Sequence, residues 1–328
     1  MLKHYCNGVF EGGGVKGIGF AGVLGGMEDA GYEFKNVAGT SAGAIVAALI
    51  AAGYTGREIE EELKTVNFKE FRQKRVWERL GIIGKTINIG LHYGVFRADN
   101  FEIWLDSLLK KKDKHVFGDI KTGNPDLRYK YKFQAIASDI TDRMLLVLPR
   151  DLVKFGIDPD SFSIAKAVRM SMSIPLYYEP YRLKDSHGSE HLIADGAILS
   201  NYPIWVLDVE GDNPEYPTFG FRFTCDYEDD CEKPRQIKNF IDYTKDIVAT
   251  MMEYGDKYHI SVSSGDFQRS ILIPTSIRTK HGVKQIQTTY FDITPEESDA
   301  LCQNGRRAAQ KFLETWNFED WKRTYRAG

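Results

Sequence analysis

Ser41 sits in Gly39-Thr40-Ser41-Ala42-Gly43, a setting that could turn a hydroxyl on a carbonyl carbon. A short extended segment, Asn36-Val37-Ala38, precedes it, and a run suited only to a buried helix, Ala44 to Ala52, follows. A serine at a sharp strand-to-helix turn has the geometry of a nucleophile elbow. Such a turn strains the serine backbone. A Cβ two residues before or after it would collide with the neighbouring strand or helix, so glycine is needed at 39 and 43. Thr40 and Ala42 are small enough for the same crowding, and the positive end of the helix dipole favours the oxyanion that attack creates. The competing reading is a loop whose serine only caps the helix.

A second glycine cluster bears on the same chemistry. Tyr5 to Phe10 reads as a short strand running into Glu11-Gly12-Gly13-Gly14-Val15-Lys16-Gly17. A helix follows, with Ile18, Val23, Leu24 and Met27 on its apolar side and Gly31 as its stop. Gly12, Gly14 and Gly17 also satisfy the dinucleotide fingerprint G-x-G-x-x-G, which requires an acidic residue about twenty positions on, at the end of the second strand. That strand ends in Ala38-Gly39-Thr40-Ser41, with no carboxylate there. The other use of such a loop is to aim bare N–H groups at a negative oxygen, as an oxyanion hole does. Gly12, Gly13 and Gly14 have no side chains to hold a substrate away. Lys16 either adds positive charge nearby or is simply solvated.

The Gly-Gly-Gly-Val-Lys-Gly loop followed closely by Gly-Thr-Ser-Ala-Gly resembles the paired first motifs of the patatin-like phospholipases, lipid acyl hydrolases with a Ser-Asp dyad. The resemblance implies that Ser41 is the nucleophile and that Gly12 to Gly14 supply the oxyanion hole, supported by Lys16, Gly17, Gly39 and Gly43. It also implies an Asp-Gly pair far downstream. Leu192-Ile193-Ala194 is a short apolar strand that delivers Asp195-Gly196-Ala197 at its end, in the expected order. Asp195 can take the Ser41 proton only if the fold brings their oxygens within reach. Asn201-Tyr202-Pro203 reads as a turn bracing the aspartate loop. The family also places a Ser-x-Ala/Ser-x-Pro motif beside the elbow, matched by Ser171-Met172-Ser173-Ile174-Pro175. There Met170 stands where a small residue is more usual. Leu176, Tyr177 and Tyr178 are candidates for an acyl-pocket wall.

A histidine triad is the alternative. His259 or His281 would satisfy the order Ser, Asp, His of the α/β-hydrolases, whose elbow usually comes after several strands, whereas Ser41 follows only the second. All seven histidines are read as non-catalytic. Two further readings keep the motifs: a lipid transacylase, and a catalytically silent lipid-binding or partner-binding module.

The elements that position these residues read as β-α-β-α, implying a mostly parallel sheet covered by helices on both faces, which in the resembled family is a three-layer α/β architecture. Tyr131 to Ser138 and Met144 to Leu148 read as strands joined by a polar turn that Asp139 organises. Phe101 to Leu109, capped by Ala98-Asp99-Asn100, and Phe162 to Met172 read as helices, as does Arg235 to His259. Thr294-Pro295-Glu296-Glu297 opens the last helix with a capping box. No linker separates a second domain. Residues 1–328 are expected to form one unit, with the motif-bearing core at about 8–206 and 207–328 packed on it.

Composition narrows the partners. A net charge of −3 gives no reason to expect nucleic acid binding. The four cysteines match neither a disulfide framework nor a metal-ligand spacing, and no metal or cofactor is expected. Glu11 and Lys16 interrupt the only region where a signal peptide would lie, and no apolar run is long enough to span a bilayer, so a cytoplasmic protein is expected. The expected substrate is a phospholipid or other acyl lipid. Between Phe68 and Arg97 basic residues alternate with aromatic and aliphatic ones, either as a cover that settles on anionic membrane surfaces or as an amphipathic element packed on the body.

Overall fold

The computed structural model describes residues 3–73, 89–208, 213–224, 265–279 and 282–326, with a few isolated positions between 237 and 251. The chain opens with β1 (His4–Phe10), a 3-10 turn at Gly14–Gly17, α1 (Ile18–Asp29), β2 (Tyr32–Thr40) and α2 (Ala42–Ala52). Then come α3 (Gly56–Thr65), β3 (Gly94–Phe96), α4 (Asp99–Lys111), and the hairpin of β4 (Phe133–Asp139) and β5 (Met144–Leu148). Next are α5 (Ile164–Ser171), β6 (Leu176–Tyr178), β7 (Tyr181–Lys184) and β8 (Glu190–Asp195). The last third holds β9 (Thr218–Thr224), β10 (Ser270–Pro274), the hairpin of β11 (Ser276–Thr279) and β12 (Gly282–Gln285), α6 (Pro295–Leu313) and α7 (Phe318–Tyr325).

The main sheet has the order β10-β9-β1-β2-β4-β8-β7, with β5 also paired to β4. The five strands from β10 to β4 are mutually parallel. The pairs β4–β8, β8–β7 and β4–β5 are antiparallel. Parallel strands must bury both faces, which is why they read as nearly continuous apolar runs. Phe10, Phe133, Ala135, Ala137, Phe219 and Phe221 join the large core shared with the helices. On the opposite face Val9, Ala38, Ile136 and Val147 pack against Tyr202, Ile204, Val206 and Leu207.

Two helices differ from their sequence reading. Asp99 and Asn100 lie inside the first turn of α4, and Ala98 is its cap residue, with no capping side chain. In α1 every residue from Ile18 to Met27 is buried, so the helix has no outer face. The reason is α6, which crosses it at backbone contact. A Cβ on Gly22 would lie 1.8 Å from the Cys302 carbonyl oxygen, and one on Gly305 would lie 2.0 Å from that of Gly19.

The turn after β4 is organised by Asp139, whose Oδ1 accepts the N–H groups of Thr141 and Asp142 at 2.8 and 3.1 Å. Of the basic, aromatic segment 68–97, residues 74–88 lie outside the described residues, as does most of the expected helix over 235–259. In the described part, Phe71 packs against Phe68, Phe101 and Trp104, while Lys69 and Arg72 reach Asp292 at 2.9 and 3.7 Å. Phe68 and Phe71 are packed on the body, while Lys69 stays largely exposed. Among the described residues no helix is long and apolar enough to cross a membrane.

Candidate active site

Ser41 occupies φ 53°, ψ −119°, a backbone region that side-chain-bearing residues rarely adopt. The crowding around it is direct. A Cβ on Gly39 would fall 2.4 Å from the Gly43 carbonyl carbon, and one on Gly43 would fall 2.1 Å from the Phe10 carbonyl oxygen. Thr40 is buried and its hydroxyl donates to the Ser200 carbonyl at 2.9 Å. The Ser41 N–H donates to Ser171 Oγ at 2.9 Å, and the serine is only 3% exposed. The elbow is therefore held from both sides, by β8's following loop and by the end of α5.

Strand register brings the second candidate to the same level. Thr40 pairs with Ile136 on β4, so Ser41 is level with Ala137, and Ala137 pairs on its other side with Asp195. Two strand spacings, about 10 Å, separate the two backbones, with the small Ala137 between them. Asp195 is fully buried. Its N–H donates to the Ser173 carbonyl at 2.9 Å and its Oδ1 accepts the Ala197 N–H at 2.9 Å. Its Oδ2 is buried without a hydrogen-bond partner among the described residues, and the Ser41 hydroxyl is one of the groups that pull its pKa down. A serine-to-base contact that is loose without substrate and tightens with it is common in enzymes that use an activated nucleophile. Burial pushes the Asp195 carboxyl up from its ordinary value to about 7, against the pull of the Ala197 N–H and the Ser41 hydroxyl.

The end of α5 serves both residues. Ser171 offers its hydroxyl to Ser41 and Ser173 its carbonyl to Asp195. Arg169, itself buried, donates to Ser173 Oγ and to the Glu179 carbonyl, fixing this turn. Met170 is fully buried, so the family's usual small residue is replaced here without opening the packing.

The glycine loop differs from the expectation that all three of its amides are available. The Gly12 N–H already donates to the Asn201 carbonyl at 3.0 Å. The N–H groups of Gly13 and Gly14 donate to no group among the described residues. Asn201 thus braces the glycine loop, where the sequence reading had it bracing the aspartate loop. Its Nδ2 lies 3.3 Å from Glu11 Oε1 and 3.4 Å from the Gly12 carbonyl. Glu11 Oε2 in turn accepts the Phe223 N–H at 2.7 Å, and the Val15 N–H donates to the Thr288 carbonyl at 3.0 Å. Residues beyond Pro203, in which the sequence showed no link to the chemistry, therefore shape the loop. Most of these links are backbone groups, which leave no trace in residue type.

The remaining candidates are placed as follows. Lys16 lies over the Phe223 ring, 5.5 Å from its centroid. Gly17 lets α1 meet Ala42, and Gly196 approaches the Ile136 carbonyl so closely that a Cβ would sit 2.2 Å from its oxygen. Tyr177 stacks on Phe291, while Tyr178 is buried with its hydroxyl unpartnered among the described residues. No histidine among the described residues bonds to Ser41 or Asp195. His259 and His281 lie outside the described residues.

A mostly parallel sheet flanked by helices, with a serine at a strained turn after its second strand, makes this an α/β protein. The patatin-like phospholipase family model matches residues 8–208, and the chain belongs to that family, which places it in the lipid hydrolase class. It is 36% identical over 315 residues to the uncharacterized protein YqhO of Bacillus subtilis (strain 168), covering 96% of this chain and 100% of that relative. It is 23% identical over 215 residues to the probable lipid hydrolase 463L of Invertebrate iridescent virus 6, covering 62% of this chain and 63% of the relative. Among solved structures it is similar to VipD from Legionella pneumophila, with a TM-score of 0.54 at 17% identity, over 96% of this chain and 67% of that one. ExoU from Pseudomonas aeruginosa, in its complex with SpcU, gives 0.51 at 13% identity, over 95% and 52%. These structural likenesses concern the fold.

Proposed function

We propose that the protein is a phospholipase A-type acyl hydrolase working through a Ser41 acyl-enzyme, with Asp195 as its base. The observation that carries this reading is the fully buried Asp195 carboxyl, level with Ser41 across β4, with one oxygen unengaged and a pKa that burial raises to about 7. A base titrating near neutrality holds the ionised form in useful amounts while still binding a proton firmly enough to pass it on. Ser41 Oγ attacks the ester carbonyl as its proton moves to Asp195. The tetrahedral oxyanion is held by the N–H groups of Gly13 and Gly14 and favoured by the N-terminus of α2. Collapse returns the proton to the departing alcohol and leaves the fatty acyl group on Ser41. Water, deprotonated by the same carboxylate, then releases the fatty acid.

Mass spectrometry of products from mixed phospholipids and neutral lipids tests this, run with the native chain, Ser41→Ala and Asp195→Asn. Fatty acid release is expected from the native chain and from neither variant. Release that survives Asp195→Asn undiminished would remove the proposed base. Acyl transfer to an added alcohol or thiol in place of release would identify a transacylase. Labelling of Ser41 by a fluorophosphonate without turnover of any lipid would identify a binding module.

A further inference from the structure

Four residues upstream of Asp195, on the same face of β8, a second group of side chains converges. His191 Nδ1 stands 3.2 Å from Asp139 Oδ2 and 3.2 Å from Asp142 Oδ2. The three potential ligand atoms all lie within 4.8 Å of one another. We propose that Asp139, Asp142 and His191 form a binding site for a divalent transition-metal ion of the zinc or manganese type, which clamps the β4–β5 turn to the strand that delivers Asp195.

The spacing fits. An ion bound to nitrogen and oxygen at about 2.1 Å sets adjacent ligand atoms about 3.0 Å apart in an octahedron and about 3.4 Å apart in a tetrahedron. Both separations from His191 Nδ1 fall between these limits, the one to Asp139 being a hydrogen bond that an ion would replace.

The ligands are also aimed before any ion arrives. Asp139 is buried, and its Oδ1 is committed to the turn, which leaves Oδ2 to face the histidine. The His191 ring packs edge-on against Phe155 at 4.8 Å and is only 11% exposed. Its far nitrogen, Nε2, lies 3.8 Å from Asp185 Oδ2, and the other Asp185 oxygen is fixed by the N–H groups of His187 and Ser189. A carboxylate on this side of the ring that closed to hydrogen-bond distance would orient a metal-ligating imidazole and leave its other nitrogen for the ion.

Charge points the same way. No lysine or arginine among the described residues pairs with Asp139 or Asp142, so a buried and an exposed carboxylate converge with only an imidazole between them. Two carboxylates so placed repel, and a divalent cation reverses the sign of that interaction. One imidazole and two carboxylates suit zinc or manganese better than magnesium or calcium, which favour all-oxygen sites. Asp142, on the exposed turn, gives the ion a path from solvent.

The test is titration of the chelator-stripped full chain with Zn²⁺ and Mn²⁺ by calorimetry, with metal content measured after gel filtration. One ion per chain is expected, with Mg²⁺ and Ca²⁺ at least tenfold weaker. Asp142→Asn and His191→Gln should each weaken binding at least tenfold, and Asp185→Asn by about 10- to 100-fold. His187→Gln, at an exposed position four residues away, should leave binding unchanged. Asp142 lies on a solvent-facing turn, so its variant keeps the fold, which circular dichroism checks. In the native chain Mn²⁺ should also broaden the His191 ring resonances selectively. No stoichiometric uptake of either ion, or uptake undiminished in both Asp142→Asn and His191→Gln, would overturn the site. None of these measurements depends on lipid turnover.

Discussion

In the proposed role of base, Asp195 faces two demands that pull in opposite directions. As a base it must be ionised, so kcat/KM for ester cleavage is expected to rise with pH through about 7 and then level, which a pH–rate profile on a soluble ester checks. As a buried group it is more comfortable protonated. Its folded pKa lies above its ordinary 3.8, so its contribution to stability is fully present below about 4 and is lost as pH rises through about 7. Asp195→Asn cannot ionise and escapes that loss. Its Tm relative to the native chain should therefore climb between pH 5 and pH 8, by an amount equivalent to a few kcal/mol. A Tm difference that stays flat with pH would contradict the burial argument. Ser171 supplies a second residue-scale expectation. Ser171→Ala leaves the Ser41 N–H buried without its partner, costing about 1–3 kcal/mol of stability and lowering kcat more than it changes KM.

At the scale of elements, the tightest fits are glycine contacts. Gly43→Ala would drive a methyl against the end of β1, and Gly22→Ala would drive one into the backbone of α6. Each is expected to destabilise by about 1–3 kcal/mol or more in chemical denaturation, Gly43→Ala with complete loss of activity and Gly22→Ala with the elbow left in place. The β-α-β-α opening, the elbow and the Asp-Gly turn were legible in the sequence because strand, glycine and helix signals occur there within a few residues of one another. The burial of α1 was not legible, since the residues that cover it lie almost three hundred positions away. Nor was the insertion of β4 between the strands that carry Ser41 and Asp195, because pairing between distant strands leaves no local pattern. Asn201 carried a turn signal, but nothing in its type said which loop it would hold.

For the molecule as a whole, we propose that residues 207–328 belong to the same folding unit as the motif-bearing part. β9 and β10 extend the sheet beyond β1, Thr288 holds the glycine loop, and α6 covers α1. A chain ending at residue 208 would expose an edge of β1 and the whole outer side of α1. It is expected to aggregate, or to show no near-ultraviolet circular dichroism and no cooperative melting. A soluble, sharply melting fragment would count against a single unit. The clasp between α1 and α6 also bears on how the protein is made. Synthesis releases Ser41 and Asp195 long before residues 295–313 leave the ribosome, so the core around α1 stays unfinished until that helix emerges. Competence should therefore appear only once residues 295–313 have emerged, and stalled chains lacking that helix should be wards of chaperones.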